Sequence, residues 1–197
     1  TYPTPLGLVP GAGAILAAIA AATSTPPEVT GKPHAPMRAL VREQLGDVRK
    51  VFLADGDALI AKASFLEEVT AMCYEAFPGL RRVSCYASPQ ALDKRTVEEM
   101  TRLREAGLTQ YYLGVESGHD EVLENLKKGI DAENMIRVAH KAQEAGVKIS
   151  TMILLGVGGR RLTKEHAIES ARVISEINPR FVSTLVVTPV EGTPLHD

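Results

Sequence analysis

Asp55-Gly56-Asp57 sets two carboxylates around a glycine. Acids beside freed backbone suit an ammonium group, and the same residues equally suit a solvated turn with a helix cap. Glu116-Ser117-Gly118 places a carboxylate and a hydroxyl directly behind the apolar run Tyr112-Leu113-Gly114-Val115. Polar groups at such a strand end read as functional more readily than as capping. Gly156-Val157-Gly158-Gly159 lets backbone approach a ligand closely, but its spacing does not fit the dinucleotide fingerprint and no phosphate loop is assigned. The histidines carry less. His119 reads as an exposed residue at a helix start beside the Glu116 loop, and His140 and His166 fall in helical patterns as surface or boundary residues. No pair of them has metal-ligand spacing. Cys73 and Cys85 lie in unlike settings, one helical and one in a strand. That excludes a disulfide framework and leaves two small buried hydrophobes in a reducing, cytoplasmic setting. A nucleophile with its base cannot be assembled, so a hydrolase has no support.

The elements that must position these groups alternate. A helix over Pro36 to Leu45 leads to a strand at Val48 to Ala54, and a helix over Lys62 to Ala76, stopped by Pro78-Gly79, leads to a strand at Arg81 to Ala87. A helix from Lys94 to Ala106 and a strand from Gln110 to Val115 follow. Helices at Asp120 to Lys127 and Ala132 to Ala145, a strand at Lys148 to Leu155, a helix at Thr163 to Ile177 and a strand at Phe181 to Val187 complete the series. Short apolar strands alternating with helices imply parallel pairing through right-handed crossovers. The fold class is therefore α/β, as an open doubly wound sheet or part of a β/α barrel. Both architectures put ligands at the loops after the C-terminal strand ends. Those loops are Asp55 to Asp57, Ser88-Pro89, Glu116 to His119, Gly156 to Gly159 and Thr188 to Thr193.

Composition divides the chain near residue 36. Residues 1–36 are rich in Ala, Pro, Thr and Gly and read as an irregular or disordered segment with a short helix over Ala14 to Ala22, whereas residues 37–197 should fold as one domain. A net charge of -2 gives no nucleic-acid signal. The small apolar stretch Gly11 to Ala22 is too short to span a bilayer.

Taken in order, the loops resemble the radical S-adenosylmethionine (SAM) superfamily, in particular its coproporphyrinogen-oxidase and elongator-like branch. Asp55, Gly56 and Asp57 are similar to the Gly-Gly-Glu motif that binds the SAM amino group, with both acids departing from it. Glu116 and Ser117, in Leu-Gly-Val-Glu-Ser-Gly, resemble the fourth-strand motif that touches the SAM ribose or carboxylate, continued by Leu126-Lys127-Lys128-Gly129. Ile153 and Gly156 resemble the fifth-strand segment near the adenine, and Thr188 begins a run, to Leu195, like the sixth-strand end. The resemblance implies a partial radical SAM (TIM-barrel-like) β/α barrel over residues 37–197 that binds SAM. In relatives, a 4Fe-4S cluster on a Cys-x3-Cys-x2-Cys loop reduces SAM to a 5'-deoxyadenosyl radical. No cysteine precedes Asp55 here, so the chain as written is expected to be inactive.

Ala14, Ala18 and Ala21 have the spacing of the missing triplet. Alanine codons read one base earlier, after a codon ending in T, spell cysteine. A frameshift is thus one account of the loss, and a naturally degenerate relative is the other. Three functional readings stand: a disabled radical SAM core, a non-catalytic nucleoside- or SAM-binding β/α domain with an interaction role, and, last, a metal-independent lyase, for which Lys148 begins a strand and faces the wrong rim. The strand edge at Val51 has no expected neighbour, which points to self-association.

Overall fold

The computed structural model describes residues 2–4, 7–9, 47–54 and 56–192. The expected helices over Ala14 to Ala22 and Pro36 to Leu45, the alanine triplet and Asp55 lie outside the described residues.

The chain divides into two units, residues 1–46 and 47–197. Within the first, β1 (Tyr2–Thr4) and β2 (Gly7–Val9) form an antiparallel pair with Tyr2 opposite Val9. Composition alone gives no sign of this pair.

The second unit carries the β/α array. Its strands are β3 (Lys50–Leu53), β4 (Arg82–Ala87), β5 (Leu108–Glu116), β6 (Lys148–Leu155) and β7 (Phe181–Val186). All neighbours are parallel, and spatial order equals chain order. This is the pattern of a partial barrel, since every crossover steps one strand further the same way. The helices are α1 (Ala63–Ala76), α2 (Pro89–Lys94), α3 (Val97–Ala106), α4 (Asp120–Asn125), α5 (Ala132–Glu144) and α6 (Gly159–Ile177), with a 3-10 turn at Ala58–Ile60.

Local chemistry sets the helix ends. Thr96 and Glu99 form a reciprocal capping box at the start of α3, which then stops at Gly107 with φ 112, a left-handed value that favours glycine. Asp131 caps α5 by accepting from the Asn134 amide at 2.7 Å. The core lies between the helices and one face of the sheet, where Val83, Cys85, Ala87, Tyr111, Leu113, Val115 and Ile149 pack against Leu92, Met100, Leu103, Met135, Val138 and Val173. The other face carries Phe52, Tyr86 and Tyr112, with the Phe52 ring edge-on to Tyr86 at 4.7 Å and to Tyr112 at 5.2 Å between centroids. Opposite faces follow from the two-residue alternation of a strand.

Several element boundaries differ by a few residues from the sequence expectation, two of them beside the expected ligand loops. Ser88 and Pro89, expected as a loop, open the short helix α2, where the Ser88 hydroxyl accepts from the Ala91 amide at 3.1 Å. Helix α6 begins at Gly159 rather than Thr163, because Gly158 serves as its N-cap and the Leu162 amide already bonds to the Gly158 carbonyl. Among the described residues no helix is long and apolar enough to cross a membrane.

Candidate functional site

The rim of β5 holds the most constrained backbone of the expected site. Glu116 has φ 64, and the Ser117 amide donates to the Val115 carbonyl at 2.8 Å. A two-residue hydrogen bond around a positive φ is a γ-turn of the rare, strained kind. The ladder to β6 slips between Gly114 and Glu116, so a bulge delivers the turn at the strand end. The Glu116 carboxylate folds back over Gly114, where any Cβ would collide with it, and Lys128 approaches it to 3.2 Å. Both side chains stay partly exposed, Glu116 at 25% and Lys128 at 21%. Lys128 belongs to the run whose continuation of the Glu116 loop the sequence suggested.

Ser117 faces the other way. It is completely buried, and its hydroxyl lies 2.8 Å from His166 Nδ1 on α6 while accepting from the His119 amide at 3.0 Å. Ser170, one turn along α6, accepts from the Gly118 amide at 2.9 Å. His166 is thus no surface residue: it is 4% exposed, and its contact with a loop 49 residues away is invisible to helical periodicity. Burial first, then the neighbouring His119, holds the His166 imidazole below its ordinary pKa, while the Leu154 carbonyl beside the ring acts in the opposite sense. His119 stands at the N-cap of α4 with a buried Nδ1 that has no partner. His140 is exposed, as expected for a boundary position, with its ring bonded to the Glu176 carbonyl at 2.9 Å.

On β3 the described part of the acidic loop is Gly56 and Asp57. Gly56 has φ 81 and is exposed. One Asp57 oxygen accepts from the Leu59 amide at 3.2 Å, the capping role weighed from sequence, and the other oxygen is buried with no hydrogen-bond partner. The cavity beside it is lined by Phe52, Leu53, Ala58, Ile60 and Phe65, among others, and reaches neither Glu116 nor Gly156. Ile153 packs into the core through its side chain, so any ligand contact there falls to backbone. Gly156, at φ 87, turns the chain out of β6 and is exposed, and Thr188 is exposed just past β7. The rim groups therefore share one edge of the sheet, on β3, β5, β6 and β7, without sharing an enclosed pocket with Asp57.

Residues 34–189 match the family profile described as the radical SAM superfamily. The chain belongs to the radical SAM superfamily. It is 24% identical over 172 residues to an uncharacterized protein of Methanocaldococcus jannaschii, covering 82% of this chain and 52% of that one. It is 27% identical over 129 residues to biotin synthase of Geobacter sulfurreducens, covering 66% of this chain and 38% of that enzyme. Among solved structures, methylornithine synthase superposes with a TM-score of 0.64 at 22% identity, over 83% of this chain and 47% of that one. Coproporphyrinogen III oxidase from Escherichia coli gives 0.62 at 17% identity, over 77% and 35%. The chain spans about half the length of the first of these relatives and less of the others.

Membership in the radical SAM superfamily implies two groups, SAM and a 4Fe-4S cluster. The rim has chemistry that fits the first: the unpartnered Asp57 oxygen can accept from an ammonium, and the strained Glu116 carboxylate is held at a strand end. The residues do not fit the second. The chain has two cysteines, Cys73 on α1 and Cys85 on the helix-covered face of β4. Burial first, then the charge of Asp57, pushes the Cys85 thiol up to about 12, against a smaller pull from Arg95. A metal ligand must be a thiolate, which that environment opposes. Among the described residues no group of three His, Cys, Asp or Glu side chains is placed to hold a metal.

Proposed function

We propose that this chain supplies the SAM-binding rim of a radical SAM core and does not itself cleave SAM. The observation that carries the reading is Glu116, a carboxylate kept in a strained turn at the C-terminal end of β5. Strain of this kind persists where the surroundings over-determine it for use.

In the family, SAM is cleaved reductively at a 4Fe-4S cluster. Two cysteines cannot furnish three thiolates, so no such step is derived for these residues. What they do is bind and orient. Glu116 accepts hydroxyl hydrogen bonds from a ribose, with Lys128 fixing its carboxylate and offering a cation to a ligand carboxylate. The free oxygen of Asp57 accepts from the ligand ammonium, and Gly56 and Asp55 belong to the same loop. The exposed turn at Gly156 presents backbone to an adenine, with Ile153 acting through its main chain, Ser117 holding the loop, and Thr188 at the far rim.

The test is calorimetric titration of the whole chain with SAM, alongside Glu116→Gln. Binding by the wild type and a loss of about tenfold in the variant are expected, the size of one charge-assisted hydrogen bond. No binding, or equal binding by both, overturns the reading. Anaerobic addition of iron and sulfide should leave the chain without the broad absorbance of a cluster, and its appearance would overturn the claim that cleavage is absent. A second reading, a nucleoside-binding module that serves an interaction, is favoured by the exposed apolar side chains of β7. Adenosine competing as well as SAM supports that reading.

A further inference from the structure

We propose that His166 is a positioning residue for the rim carboxylate: through Ser117 it holds Glu116 in its strained turn, so that SAM affinity depends on a side chain that touches no ligand. The proposal rests on the reading that this rim binds SAM.

Three observations carry it. First, Glu116 would relax to an extended or helical conformation unless its neighbours prevented it, since a left-handed conformation is disfavoured for any residue with a Cβ. Second, the residues that follow it are bolted to α6. Ser117 meets His166 at 2.8 Å and Gly118 meets Ser170 at 2.9 Å, partners one helical turn apart. Gly118 lies so close to α6 that a Cβ there would strike the Glu169 backbone. Third, one ring nitrogen gathers both serines of the contact. His166 Nδ1 lies 2.8 Å from the Ser117 oxygen and 3.3 Å from the Ser170 oxygen. The Ser117 oxygen also accepts from the His119 amide at 3.0 Å, so Ser117 ties the ring to the loop backbone. Burial of both partners makes this bond hard to replace with water, because Ser117 and His166 are nearly inaccessible.

His166→Phe keeps the ring volume and deletes Nδ1, and His166→Asn returns a hydrogen-bonding group near the position of Nδ1. Calorimetric titration with SAM should show the phenylalanine variant weaker by about tenfold and the asparagine variant restored to within about threefold of wild type. Hydrogen exchange should rise at residues 116–119 in the phenylalanine variant, with or without SAM. Val173→Ala, a truncation in the buried core face of α6, is the control for general loosening of the helix. It should lower the melting temperature and leave SAM affinity unchanged. If the phenylalanine variant does not fold, Ser117→Ala removes the same bond from the other side. A wild type that takes up no SAM overturns the underlying reading and the proposal with it. A wild type that binds while His166→Phe binds equally, or while Val173→Ala weakens as much, overturns the positioning role alone.

Discussion

A histidine on α6, sealed under the β5 loop, makes stability depend on pH in a window where the carboxylates do not. His166 is held below its ordinary value of 6.5 in the folded chain by burial and by His119. The unfolded chain therefore takes up the proton first as pH falls. Its contribution is complete above 6.5 and is lost as pH drops through the lower folded value. The depressed carboxylates act further down. Glu121, held low by its hydrogen bond to Arg161, and Asp93, held low by Arg137, lose their contributions only below their ordinary values of 4.5 and 3.8. Thermal melts at about pH 7.5 and about pH 5.3 isolate the histidine window. The wild type should melt at lower temperature in the acid buffer, and His166→Asn should show a smaller difference between the two. An undiminished difference in the variant would assign the effect elsewhere.

Between elements, the decisive contact is the β5 loop lying on α6. Gly118 has no side chain because the Glu169 backbone occupies the space, so Gly118→Ala must push loop and helix apart. Overpacking of that kind costs about 1–3 kcal/mol, measured as a lowered denaturation midpoint. A neutral result would show that the loop stands off from α6. The sequence foretold the elements themselves well. Apolar runs ending at glycines placed β3 to β7 and the longer helices within a few residues, because periodicity and helix stops are local signals. It foretold the rim position of Glu116 for the same reason. It did not reveal that Ser117 turns inward, since a strand bulge at Gly114 and Glu116 resets which side chains of β5 face out. Nor did it reveal His166 as a partner of the loop, or that Lys128, in the run read as continuing it, pairs with the Glu116 carboxylate. Such pairings belong to the folded chain, where α6 and the segment after α4 come back across the strand end. Asp57 is the intermediate case: the acid was legible, and both its capping oxygen and its spare one follow from a choice that local sequence left open.

For the molecule as a whole, the sheet formed by the described residues is open, and its two ends differ. Every residue of β7 is exposed, including Phe181, Val182, Leu185 and Val186, and β3 at the opposite end has one strand neighbour in the sheet. An edge strand offers unpaired backbone donors and acceptors in a row, and apolar side chains beside them add a driving force for pairing with another chain. The array spans 47% of methylornithine synthase and 35% of coproporphyrinogen III oxidase, so the superposed structures have further chain beyond the matched part. A second copy of the chain presents the same unpaired edge and can cover it. Sedimentation velocity across a range of concentrations should therefore show reversible association. Leu185→Lys puts a charge on the exposed edge strand, the device natural edges use against pairing, and should shift the species toward monomer without altering the melting temperature of the dilute protein. If Leu185→Lys changes nothing while Phe52→Lys suppresses association, the contact lies at β3, the edge that the sequence itself singled out. Association unmoved by either variant would place it away from the sheet.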